Sequence, residues 1–300
     1  MKQLPSCLTV LLLGLSACSG SSTSASSATP RQVASCPVCE DADDMGKLAS
    51  SELKESSGIA KSKVHPDTFW VHNDSGDSAR IFAINGSGDL LATIKLGGAT
   101  ALDYEDIAVG PCGTRSCVYV ADIGDNLGAR DFSTIYWFEE PDSLGDTTLQ
   151  VKATKFQYSD GPHNAETLLV HPKTGAVYVV TKEPTRPSAV FEIPLDATAT
   201  TVVQANKLGE LQIPTGSPLF TGGDIDTTGV MVILRTYDHV LAFPIPESEK
   251  IEDALSAKGC ELPAPPEVQG EAVGFDGKDF WTVSEGQGAN LYRSRCTWTP

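Results

Sequence analysis

One unit, a strand, a tight turn and a second strand, returns five times along this chain, and that repetition constrains its fold more than any other feature. The first copy reads Ser56-Ser57-Gly58-Ile59-Ala60, turns at His65-Pro66-Asp67, and continues Phe69-Trp70-Val71-His72-Asn73-Asp74. The second joins 104–109 to 118–122, the third 165–170 to 177–183, the fourth 222–226 to 231–235, and the fifth 270–275 to 280–285. Each is rich in β-branched and aromatic residues and has a polar or glycine-bearing turn. Third strands are expected at 80–84, 135–139, 189–193, 239–243 and 290–293, and more polar fourth strands at 90–95 and 149–158. Helical periodicity is confined to 247–255. Four short strands every fifty or so residues predict an all-β chain, a β-propeller over 48–300. Five four-stranded blades fit the spacing; six would follow if a degenerate copy lay between 186 and 220. Residues 47–53 are expected to supply the outer strand of the last blade and close the ring.

In an antiparallel pair, the start of the first strand and the end of the second lie at the same end. Strand starts carry Glu55, Asp103 with Glu105, Glu166, Asp224 and Glu271, and second-strand ends carry Asp74, Asp122, Glu183, Arg235 and Glu285. A ring of blades would therefore gather acids at one rim of the central channel. Crowded carboxylates resist ionisation unless a cation offsets them, and hard cations take oxygen ligands. The pattern predicts a calcium-type site drawn from Asp74, Asp103, Glu105, Asp122, Glu166 and Glu271, with Arg235, Glu183 and Glu285 facing a small ligand. The loops Asp74-Ser75-Gly76-Asp77 and Asp122-Ile123-Gly124-Asp125-Asn126 each set two carboxylates around a glycine, a residue free to take positive φ; the competing reading is an Asx-turn that binds only backbone amides. Arg80, Arg130 and Arg186 are expected to make interblade salt bridges with the rim acids. Arg235, which replaces an acid, is the better candidate to grip an anion. His65 and His171 read as turn residues, and Trp70 and Trp281 as blade core. The chain has no nucleophile elbow, Walker loop or zincin helix.

The elements Glu-Ser-Ser-Gly-Ile-Ala (55–60), Asp-Tyr-Glu-Asp-Ile-Ala (103–108), Tyr-Val-Ala-Asp-Ile-Gly-Asp-Asn (119–126) and Gly-Glu-Ala-Val-Gly-Phe-Asp-Gly (270–277) resemble phytase-like and NHL-like secreted bacterial propellers over residues 50–295. The phytase resemblance implies calcium and hydrolysis of phosphate esters.

At the N-terminus, Lys2 precedes an apolar run too short to span a bilayer, followed by Leu15-Ser16-Ala17-Cys18 and a serine tract. This resembles the lipobox of bacterial lipoproteins. It implies a signal peptide over 1–17, lipid on Cys18, and a protein tethered by that lipid in the cell envelope, at the outer membrane or cell surface. Residues 18–47 read as a Ser-rich tether carrying Cys36-Pro-Val-Cys39. With Cys7 in the signal and Cys18 lipidated, six cysteines remain for disulfides. The pairs expected are Cys112–Cys117 across a turn, Cys260–Cys296, and a small Cys36–Cys39 bridge. A formal net charge of −17 argues against nucleic acid as a partner. Taken together, the sequence predicts a binding or scaffold propeller that holds a divalent metal or small ligand, its natural ligand or protein partner unidentified. The alternative is a calcium-dependent hydrolase of phosphate or other esters.

Overall fold

The computed structural model describes residues 33–185, 187–211, 219–246, 248 and 250–299. The chain is a β-propeller. Two short N-terminal strands, β1 (Val38–Cys39) and β2 (Asp43–Lys47), precede the repeats. The first unit is the meander β3 (Ser56–Lys61), β4 (Thr68–Asn73), β5 (Arg80–Asn85) and β6 (Leu90–Gly97). The second comprises β7 (Tyr104–Cys112), β8 (Arg115–Asp122), β9 (Ser133–Glu139) and β11 (Lys152–Tyr158), with β10 (Thr147–Gln150) diverted to lie parallel to β6. The third is β12 (Ala165–Val170), β13 (Val177–Thr181), β14 (Ala189–Ile193) and β15 (Val203–Glu210). The fourth is β16 (Phe220–Ile225), β17 (Met231–Thr236), β18 (Val240–Pro244) and, after the short helix α1 (Ile251–Leu255), β19 (Cys260–Leu262). The fifth is β20 (Gly270–Asp276), β21 (Asp279–Ser284) and β22 (Asn290–Ser294), and β23 (Cys296–Thr297) follows.

The first strands of these units touch in a closed cycle: β3 meets β7, β7 meets β12, β12 meets β16, β16 meets β20, and β20 returns to β3. Five buried apolar clusters fill the five seams between neighbouring units. Trp70, Ile107 and Val120 lie in the first seam, Tyr119, Leu168 and Phe191 in the second, Leu169, Phe220 and Leu234 in the third, Ile233, Val273 and Phe280 in the fourth, and Phe69, Ile59 and Trp281 in the last. Each unit buries both faces against its neighbours, so its strands read as near-continuous apolar runs. Trp70 and Trp281 are buried core residues, as expected from their repeat position. Helix α1 docks Ile251, Ala254 and Leu255 onto the third seam.

The closure differs from expectation. β2, not 47–53, pairs antiparallel with β22 and supplies the outer strand of the last unit, so the propeller begins before residue 48. β1 pairs with β23, and the N-terminal strap is stapled twice, by Cys36–Cys260 and Cys39–Cys296. Of the expected bridges only Cys112–Cys117 forms, across the β7–β8 turn. Cys260 and Cys296 take partners on the strap because ring closure lays 36–39 alongside the last strands, a proximity that spacing along the chain does not encode. Among the described residues no helix is long and apolar enough to cross a membrane. Cys18 and the signal segment lie outside the described residues.

Candidate functional site

Every unit carries the same irregularity. The register between first and second strands slips once, at the end of the pair where the first strand begins, leaving Ser57, Glu105, Glu166, Thr221 and Glu271 unpaired. A bulge of this kind kinks the strand and re-aims the side chain of the extra residue. Three of the five bulged residues are glutamates. The bulge also corrects the fourth repeat. Its counterpart of Glu105 is Thr221, two residues before the position suggested by the Gly222-Gly223-Asp224-Ile225 pattern. Thr221 donates to the Gly270 carbonyl at 3.0 Å, as Ser57 donates to the Glu105 carbonyl at 2.6 Å.

Around the glutamates lies a connected acidic group. One oxygen from each of Asp74, Asp103 and Glu105 falls within 4.8 Å of the others. Burial, then Asp122 and Asp125, hold the Asp103 carboxyl above the usual range against the pull of Arg130 and Asp74. Burial pushes the Asp74 carboxyl up to about 7 against the pull of the Ser75 amide, and Asp103, Glu166 and Glu285 add repulsion. Glu105 is 3% exposed. Burial, then Glu166, Asp74 and Asp103, hold it well above the usual carboxylate range. Glu271 accepts from Gln269 at 2.7 Å and is pushed by burial to about 8. Glu285 interacts with it, its own carboxyl lifted above the usual range by burial and by Glu55. Glu166 pairs with Lys182, which donates to the Tyr237 hydroxyl at 2.5 Å. Burial pulls the Lys182 ammonium down, but Glu166 and Tyr237 outweigh it and keep the amine above the usual lysine range. Four of the six expected metal ligands thus interact closely (Asp74, Asp103, Glu105 and Glu166). Glu271 joins them electrostatically, and Glu285 stands beside it.

The remaining candidates are placed elsewhere. Asp122 is fully buried and occupied: Arg130 Nη1 donates to it at 2.8 Å and the Asp103 amide at 3.2 Å. Glu183 shares a hydrogen bond with His163 Nδ1 at 2.5 Å. Arg235 pairs across from Gly222, one residue short of the strand end. It is 1% exposed and ion-paired to Glu267, in space left by Gly270, where a Cβ would strike the guanidinium. Nη1 donates to the Ala272 carbonyl and Nη2 to Glu267, so no two-nitrogen edge is left for an incoming anion, and the ligand role expected of Arg235 is not supported by its surroundings. Asp224 takes the Phe275 amide at 2.9 Å and feels Lys63 and Asp226 rather than the rim acids. Arg80 binds Asp77 and Glu52, and Arg130 binds Asp122, each within its own unit or the adjoining strap rather than between blades. Arg186 lies outside the described residues.

In both acidic loops the second aspartate is structural. Asp125 accepts the Ala129 and Arg130 amides, and Asp77 holds Arg80 and Asn73. Gly76 takes φ 83°, as a left-handed turn requires, but Gly124 does not take positive φ. Its role is spatial: a Cβ there would collide with the carboxylates of Glu105 and Asp103. Lys182, Tyr237 and Gln269 were not anticipated. Lys182 was legible as the residue next to the strand end at Thr181, but the reach of Tyr237 from the adjoining unit was not.

No protein-family model matches the sequence, and no curated protein matches it. A gluconolactonase from Xanthomonas campestris aligns over 89% of this chain and 99% of its own, at 11% identity and a TM-score of 0.49. The hydrazine synthase of Kuenenia stuttgartiensis aligns over 74% and 67%, at 11% identity and a TM-score of 0.42. Chemistry must come from the site itself.

Proposed function

We propose that this protein binds a divalent cation of the calcium class through Asp74, Asp103 and Glu105 at the rim of its channel, and that it works outside the cytoplasm, tethered through lipid on Cys18. The observation that carries the cation reading is the convergence of three carboxylate oxygens within 4.8 Å of one another, beside Glu166 and Glu271, whose carboxyls burial lifts above the usual range. Such a group is destabilised when ionised and is relieved by a hard cation. The glycine at 124, which leaves room for two of the three carboxylates, supports the same reading. Three disulfides suit an oxidising compartment, as the lipobox-like segment implies.

A second reading, a metal-assisted hydrolase of phosphate or other esters, rests on Glu271. A carboxyl held near 8 keeps its proton at neutral pH and can donate it to a leaving oxygen. Calcium, when bound, would supply polarisation of a carbonyl or phosphoryl oxygen. Lys182, held charged by Glu166 and Tyr237, would bind an anionic group beside it.

Isothermal titration of the chelated full-length protein with calcium is the first test. Binding in wild type that Glu105→Gln abolishes supports the site, and no heat at millimolar calcium sinks it. A screen of phosphate esters, carboxylic esters and lactones with and without calcium then separates the two readings. Calcium-dependent turnover lost in Glu271→Gln selects the hydrolase, whereas binding without turnover selects the scaffold. Palmitate labelling lost in Cys18→Ser tests the anchor.

A further inference from the structure

Beside the rim, strand β11 changes partner. It pairs antiparallel with β9 from Lys152 to Phe156, then runs parallel to β15 from Phe156 to Tyr158. Because β9 begins only at Ser133, the strands part there and leave a cavity of about 220 Å³. That is smaller than the roughly 300–1,000 Å³ of drug-sized pockets, so its occupant is small. Phe132, Phe156 and Tyr158 form apolar walls, and Arg130 contributes the cation. Lys155 lies 4.4 Å over the Phe132 ring and adds positive charge beside it.

Arg130 is held by one nitrogen. Its Nη1 donates to Asp122 Oδ1 and to the Gly124 carbonyl, each at 2.8 Å. Its Nε and Nη2 are buried and have no hydrogen-bond partner among the described residues. These two nitrogens share one edge of the guanidinium and form the fork that grips a carboxylate bidentately. Buried donors are nearly always paired, so the lack of an acceptor on this edge calls for an explanation. Asp125 does not supply one, because its oxygens are taken by the Ala129 and Arg130 amides. Both nitrogens are shielded from bulk water, so a carboxylate on this edge would meet the fork in a dry setting, where its charge is strongly felt.

We propose that this cleft is a binding site for a small aromatic carboxylate, its acid group on the Nε–Nη2 edge of Arg130 and its ring among Phe132, Phe156 and Tyr158. The site is separate from the carboxylate group at the rim and does not depend on a metal there. The two are nonetheless joined, since Arg130 holds Asp122 and Asp122 accepts the Asp103 amide.

Benzoate is the probe, titrated into the full-length protein in the presence of chelator and followed by calorimetry. The expected dissociation constant is ~1 mM or tighter, with benzamide, which lacks the charge, at least about tenfold weaker. Arg130→Lys keeps the charge and the hold on Asp122 but loses the fork, and it should weaken benzoate by about tenfold. Phe132→Ala, which touches no ion pair, should weaken benzoate while leaving the weak binding of acetate unchanged. Chemical-shift changes confined to 130–133 and 156–163 would locate the ligand independently of either variant. No benzoate binding at 20-fold above ~1 mM, equal binding of benzamide, or shift changes elsewhere would each overturn the proposal. Calcium binding is read in a separate titration, so the failure of one site leaves the other standing.

Discussion

Glu105 and Asp106 are adjacent in the chain and both are buried, at 3% and 0% exposure, yet their surroundings are opposite. Asp106 points into the wall of the channel and accepts three backbone amides: Ile107 at 2.8 Å, Leu168 at 2.8 Å and Gly223 at 3.3 Å. It stitches the second unit to the third and fourth. Glu105, turned out by the bulge, has for neighbours the carboxyls of Asp74, Asp103 and Glu166. Burial lifts both above the usual range, but amides offset the lift at Asp106 while other acids add to it at Glu105. One residue of strand register therefore separates a carboxylate that holds the ring together from one that strains it. A rim that costs stability in the absence of a ligand is the arrangement expected of a binding site.

The largest effect should come from the structural member of the pair. Asp106→Ala leaves two buried amides from neighbouring units without acceptors, at about 1–3 kcal/mol each, and removes a third bond. A loss of about 3–5 kcal/mol is expected, lowering the melting temperature by on the order of 10 °C for a chain of this size. Glu105→Ala at the next position should do far less. If the two variants melt together, the distinction between wall and rim is wrong.

The next effect has the opposite sign. Glu105→Gln keeps the volume and removes a charge from the crowded group, so the chelated variant should melt about 2–4 °C above chelated wild type. Saturating calcium should raise wild type by more than this, since a hundredfold excess over the dissociation constant stabilises by about 2.7 kcal/mol, and it should leave the variant unmoved. A variant that melts below wild type in both conditions would make Glu105 a structural partner after all.

Much of this contrast was legible in the sequence, and the part that was not has identifiable causes. The five repeats, the buried tryptophans and the equivalence of Glu105, Glu166 and Glu271 follow from strand periodicity, which the seams of the propeller enforce. The fourth repeat misled because Asp224-Ile225 copies Asp106-Ile107 without standing at the same place relative to the bulge. That moved Asp224 onto the rim and Arg235 one place too far along its strand. Register is set by hydrogen bonding, and a two-residue slip preserves the inside–outside alternation that a sequence reveals. Cysteine pairing failed for a topological reason: Cys36 and Cys39 meet partners 224 and 257 residues away because the strap closes the ring. Composition made 33–47 look like tether, when two strands and the Cys39–Cys296 bridge fix it to the end of the last unit and Cys36–Cys260 fixes it to the fourth.

The smallest effect is the dependence of the metal-free protein on pH, and its sign decides whether the rim is strained. Asp74 is held near 7 and Glu271 near 8, against about 4 in the unfolded chain. Between pH 4 and 8 the folded state therefore binds more protons than the unfolded state, and stability falls as pH rises through that window. Wall acids add in the same direction, Asp224 being held near 6 by burial. Chelated wild type should thus melt about 2–4 °C higher at pH 5 than at pH 8. Between pH 7 and 8 Asp74 and Glu271 both give up protons, so Glu271→Gln should make that segment shallower while leaving the slope below pH 6, where Asp224 titrates. Calcium should reverse the trend, because protons displace it and its stabilisation fades on acidification. Thermal melts at pH 5, 6, 7 and 8, with chelator and with calcium, read all of these slopes together. A chelated wild type that loses stability steadily from pH 8 to pH 5 would mean the rim acids are ionised and satisfied in the folded state, and the contrast between Glu105 and Asp106 would collapse.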